Sequence, residues 1–184
     1  NVDLIENNNL RDGIIFKPSF DNINILNLKK ISSDSLLVKR VESLKKMWQS
    51  FINNEIPVEK IFDVEKFAID YATTDLISGI HSKFLLNLRY YYNPITNLIE
   101  PISREFGFLR NSYELTGQDK THVFLEALNE DSELTKPDKD FHNLLFTSNK
   151  LKKNYLEKLN QYSEKSYLDL FFNNISAEMY EKEK

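Results

Sequence analysis

The sequence predicts an α+β domain, predominantly helical, in which a short β-hairpin packs on a bundle of helices. Two observations carry that prediction. Apolar residues recur at three- and four-residue spacing through most of the chain, the period of a helix with one buried face. One stretch, Asn87 to Ile102, instead alternates on either side of an Asn-Pro turn, the period of paired strands. With 184 residues, 41% of them apolar and 12% aromatic, the chain can bury a core as one domain or as part of one.

Taken in order, the chain opens at Asn1 in a polar, Asn-rich segment, NVDLIENNNL, without an initiator Met, and reads as a fragment of a larger protein. Gly13 to Lys17 (GIIFK) is a short strand closed by Pro18, and Ile23 to Leu28 is a candidate second strand. Ser33 or Asp34 caps a helix from about Leu36 to Asn53, whose stripe is Leu37, Val41, Leu44, Trp48 and Phe51; Pro57 breaks it. Asp63 caps the next helix, with Val64, Phe67, Ala68, Tyr71, Ala72 and Leu76 on its buried face and an end near Gly79.

The hairpin follows. Along its first strand, alternation sets Asn87, Arg89 and Tyr91 on one face and Leu88, Tyr90 and Tyr92 on the other. Asn93-Pro94 and Thr96-Asn97 make the turn, and Leu98 to Ile102 returns. An irregular stretch runs from Gly107 to about Gln118. The remainder is helical: Lys120 to Asn129, then Asp138 to about Leu159 as one or two helices, then Ser163 to Met179 with Tyr167, Leu170, Phe171 and Ile175 on one side. The tail MYEKEK is solvated.

Composition excludes several functions. The net charge of -4 argues against a dedicated nucleic-acid binder. Without cysteine there are no disulfides and no thiolate metal sites. No apolar run approaches the ~18 residues of a membrane span. The four glycines form no phosphate-cradling cluster, and no Walker, dinucleotide or HExxH motif is present.

What remains is the hairpin. An amide leading into it, Asn87, and a carboxylate just past it, Glu105, can converge on one hard cation. Asn87 can equally cap or bridge the hairpin, and Arg104 can pair with Glu105 and cancel its charge. Arg89 shares the Asn87 face and can reach a phosphate or a carboxylate. Tyr90 and Tyr92 share the other face, where packing on the core is the simpler use of two phenol rings.

Over residues 62 to 106 the chain resembles the spore-coat protein H (CotH) kinase-like family. The resemblance rests on Phe62-Asp63 at a helix start, Asp75-Leu76 late in that helix, the tyrosine-rich run Asn87 to Tyr92, Asn93-Pro94 and Pro101-Ile102. It implies an atypical protein-kinase-like fold, of which this chain would carry the C-lobe, with the N-lobe upstream. It also implies ATP- and Mg²⁺-dependent phosphorylation of Ser or Thr in a protein substrate. Asn87 and Glu105 would hold the metal, Arg89 and Lys83 would contact the nucleotide, and Asp75 would orient the catalytic loop.

The chain departs from the family pattern at two places. Between Gly79 and Asn87 it has no carboxylate, and His81 stands roughly where a catalytic aspartate is expected. After Pro101-Ile102 comes Ser103-Arg104-Glu105, so Glu105 replaces an aspartate, and Gly107 stands where a second acid is frequent. A general base contributes roughly 10²–10⁴-fold to a rate. Its loss leaves three expectations: a kinase that uses His81 or a carboxylate from elsewhere, a pseudokinase or protein-binding scaffold, or a structural domain of a surface or coat protein.

Overall fold

The computed structural model describes residues 13–77, 79–103, 124–128 and 134–182. Glu105, Arg104, Gly107, the expected irregular stretch from Gly107 to Gln118, the first residues of the helix expected from Lys120, and the N-terminal Asn-rich segment lie outside them.

Strands β1 (Ile14–Pro18) and β2 (Ile23–Ile25) lead into a one-turn helix α1 (Leu28–Ile31) and the long α2 (Ser35–Ile52). A 3₁₀ turn at Val58–Lys60 precedes α3 (Val64–Leu76), and another at Ile80–Lys83 precedes β3 (Tyr90–Tyr92) and β4 (Ile99–Pro101). Helices α4 (Phe124–Ala127), α5 (Lys136–Leu145), α6 (Asn149–Ser163) and α7 (Lys165–Lys182) complete the described chain.

The β component is larger than the hairpin expected from sequence. β3 and β4 pair as the hairpin, but β1 pairs with β3 as well, and the antiparallel sheet has the order β2-β1-β3-β4. Beyond β4, Ile99 exchanges backbone hydrogen bonds with the segment ahead of α3, Asp63 donating to Ile99 at 2.9 Å and Ile99 to Ile61 at 2.8 Å. The sheet is therefore tied directly to the start of α3.

Local signals explain the helices. Asp34 caps α2 by accepting from Leu36 and Leu37 at 2.8 and 3.3 Å, and Asp63 caps α3 by accepting from Lys66 at 3.2 Å. The C-terminal helical stretch is two helices, broken at Phe146–Ser148, because Ser148 Oγ caps α6 by accepting from the Leu151 amide at 3.1 Å. α3 ends at Leu76, which is 39% exposed rather than on the buried face.

The core face of the sheet carries Ile14, Phe16, Tyr90, Tyr92 and Ile99, and Trp48 sits over it. The Trp48 ring meets Phe16 at 5.9 Å, Phe51 at 5.6 Å and Phe141 at 5.8 Å between centroids, so sheet, α2 and α5 share one aromatic centre. On the opposite sheet face Tyr91 is also buried, and its ring fills the space that a β-carbon on Gly13 would need. α3 packs along α6 and completes the helical layer.

Candidate functional site

Helix α3 delivers two carboxylates, Asp70 and Asp75, from one rod. Asp70 lies between Phe67 and Tyr71 on a stripe of buried residues and is only 7% exposed. Such a group is tolerated only with partners. One oxygen forms an ion pair with Lys83 Nζ, itself 2% exposed. That ammonium also lies 4.8 Å from the centroid of the Tyr71 ring, close enough for a cation–π contact. The other Asp70 oxygen accepts a hydrogen bond from the exposed Ser103 hydroxyl at 2.6 Å.

The loop between α3 and β3 is held from behind by α5. Asp138 caps its own helix through the Thr135 amide at 2.9 Å and accepts from the Leu85 amide at 2.7 Å. His142 Nε2 lies 2.7 Å from the Lys83 carbonyl, and Nδ1 lies 2.6 Å from the Tyr71 hydroxyl. A carbonyl only accepts, so Nε2 carries the proton and Nδ1 accepts from Tyr71. This wiring suits a neutral ring, and burial pushes the His142 pKa down to about 4. Burial likewise holds the Tyr71 hydroxyl well above the usual phenol range.

Asn87 sits in a turn ahead of β3, not within a strand as the alternation suggested. Its backbone amide bonds to the Phe84 carbonyl at 2.8 Å, which closes the chain on itself before the ladder begins. Its Nδ2 donates to the His81 carbonyl at 2.8 Å. That bond orients the amide group, and the amide oxygen is the atom a hard cation would use. Glu105, its partner in the sequence expectation, is outside the described residues. Among the described residues no group of three or more His, Asp or Glu is arranged to hold a metal.

The other expected residues are distributed around this turn. His81 is exposed, with its ring centroid 5.5 Å from that of Phe84. Arg89 Nη1 donates to the Leu86 and Leu88 carbonyls at 3.0 and 2.7 Å. Lys83, expected at the nucleotide, has its Nζ in the interior on Asp70. Asp75, expected to orient the catalytic loop, accepts from the Phe124 amide at 2.7 Å and from the Tyr155 hydroxyl. Burial and, after it, the Asp75 charge push the Tyr155 hydroxyl up.

The hairpin register brings the elements together. Tyr90 pairs with Pro101, and the Ile102 amide donates to the Arg89 carbonyl at 2.9 Å. Continuing that register, Ser103 stands opposite Leu88, one residue from Asn87. The end of the hairpin therefore brings Ser103 to the Asp70–Lys83 pair.

Asp70 and Ser103 were not singled out from sequence. A signal for Asp70 existed: a carboxylate three residues after Phe67 and beside Tyr71 interrupts an apolar stripe. Ser103 carried none. Glu100 was missed as well; it is buried, accepts from Asn93 Nδ2 at 2.7 Å and pairs with Lys66 at 2.6 Å, which ties the hairpin turn to α3.

Fold and site together define an α+β domain with a charged cluster beneath the open end of a β-hairpin. Compared with known proteins, the chain matches no family model, no curated protein and no solved structure.

Proposed function

We propose that the chain is the C-lobe part of a divergent CotH-type kinase-like domain that binds Mg-ATP and phosphorylates Ser or Thr in a protein substrate. The observation that carries this reading is the buried Asp70 carboxylate, which holds the exposed Ser103 hydroxyl at the hairpin end. Phosphoryl transfer asks for positioning and charge neutralisation more than for strong bases. A carboxylate from α3 can then do what the loop, lacking any carboxylate, cannot.

In this reading Asn87 contributes an oxygen ligand to Mg²⁺ and Glu105 contributes the carboxylate. The metal, when bound, would neutralise charge on the transferring phosphate. Lys83 acts through Asp70 as its counter-ion rather than on the nucleotide. Arg89 is the candidate for a phosphate contact, and His81 is the runner-up as proton acceptor.

A second reading, a catalytically inactive scaffold, is favoured by a specific observation: Asp75 is fully engaged in joining α3 to α6 and to the Phe124 amide. A thermal-shift titration of the full-length protein with ATP, with and without Mg²⁺, separates the two. Stabilisation that requires Mg²⁺ and is lost in Asn87→Ala and Glu105→Ala supports phosphotransfer. A folded protein that ATP does not shift leaves the scaffold.

A further inference from the structure

A groove of about 570 Å³ opens where the β1–β2 turn, the loop ahead of β3 and the start of α5 meet. That volume is in the range of small-molecule sites. Its walls are largely apolar: Pro18 and Phe20 come from the turn, Phe84 and Leu86 from the loop, and Pro137 from α5. Local chemistry builds them. Pro18 ends β1, and Pro137 sits in the first turn of α5, where a missing amide costs no helix bond. The Leu85 amide on Asp138 holds the loop against α5. Leu86 is nevertheless 72% exposed, and Phe20 and Phe84 are only half-buried, so apolar surface stays in water along this groove.

Two charged residues line the groove, and their circumstances differ. Asp138 is buried, with both oxygens engaged by the Thr135 amide and hydroxyl and by the Leu85 amide. Lys17 is half-buried, and among the described residues its ammonium meets no carboxylate. Asn24 stands across from Lys17 in the β1–β2 register and lines the same groove, so its amide can donate beside the ammonium. The other polar groups are spent on local structure. Thr135 caps α5, and the Ser19 hydroxyl donates to the Asn22 carbonyl at 3.0 Å. A peptide backbone would therefore find few partners here, whereas an apolar chain with one anionic head matches both the walls and the cation.

We propose that this groove binds a small amphipathic carboxylate, an aliphatic chain with its head on Lys17 Nζ and Asn24. The chain lies along Phe20, Phe84 and Leu86 and removes them from water. The site does not depend on phosphotransfer.

The test titrates the full-length protein calorimetrically with decanoate, decanol and decyltrimethylammonium, each below the concentration at which it aggregates. Decanoate should bind saturably, roughly 10–100-fold tighter than decanol, the worth of a hydrogen bond to a charged group. The cationic analogue should not bind. Lys17→Met keeps the apolar stem and should bring decanoate down to the affinity of decanol. Leu86→Ser, at an exposed position, should weaken both ligands and leave the melting temperature unchanged. Decanol binding as tightly as decanoate overturns the role of Lys17. Decanoate binding that survives both substitutions puts the ligand elsewhere and overturns the site. Saturation by none of the three, in a protein that melts cooperatively, also overturns it and leaves the groove as a seat for another polypeptide.

Discussion

Asp70 and Asp75 stand little more than a turn apart on α3, and their environments differ in kind. Asp70 meets a cation and an exposed hydroxyl. Asp75 accepts from two neutral donors on packed elements, the Phe124 amide and the Tyr155 hydroxyl, and these cannot leave without opening the helical layer. The difference separates a carboxylate that meets a charge and an exposed group from one held between packed elements. Both look alike in the sequence, each being a lone acid on a largely apolar helix face.

Substitutions on both sides and one acid titration sharpen that comparison. The largest effect belongs to Lys83→Met, which leaves Asp70 buried without its cation and should cost about 3–5 kcal/mol in chemical denaturation. The double variant Asp70→Leu/Lys83→Met should recover most of that loss, since an apolar pair replaces the ion pair. If the double variant is as unstable as the single one, the pair is not what holds this region.

Acid should act on the Asp70 side through His142, which holds the Lys83 carbonyl. Its folded pKa of about 4 lies below the ordinary value of 6.5, so between these values the unfolded chain binds the proton and the folded chain does not. The stability contributed by neutral His142 is complete above pH 6.5 and is lost as pH falls toward 4, by roughly 3 kcal/mol. His142→Gln should flatten that part of the profile in urea melts, whereas Tyr155→Phe should leave its slope unchanged.

The smallest effects give the cleanest contrast. Tyr155→Phe removes a donor from Asp75 and should cost about 1.5–3 kcal/mol. Ser103→Ala removes a donor from Asp70 at an exposed position and should stay within about 0.5 kcal/mol. Equal losses from the two, measured by the same denaturant titration, would erase the distinction between the carboxylates.

The helices were legible because their causes are local. Asp34 and Asp63 cap amides two or three residues away, and the stripe from Leu37 to Phe51 repeats within single turns. The hairpin turn was legible for the same reason: Asn93 Oδ1 accepts from the Ile95 amide at 2.9 Å, two residues on. Even so, the alternation from Asn87 to Arg89 suggested strand where the chain makes a turn, because hydrogen bonds to Phe84 and His81 compete with the ladder.

The sequence by itself determined the helical periodicity, the caps, the Asn-Pro turn and an amide at the head of the hairpin, all of them set by neighbours within a few residues. Only the tertiary structure decided that GIIFK joins the hairpin in a four-stranded sheet, since strand pairing is a contact between distant segments. It alone decided what Asp70 does, because the partners that give a buried carboxylate its role arrive from elsewhere. Lys83 comes from the following loop and Ser103 from a strand end 33 residues away. A helix face records that a side chain is buried; the charge and the hydroxyl that it meets there depend on how the chain returns.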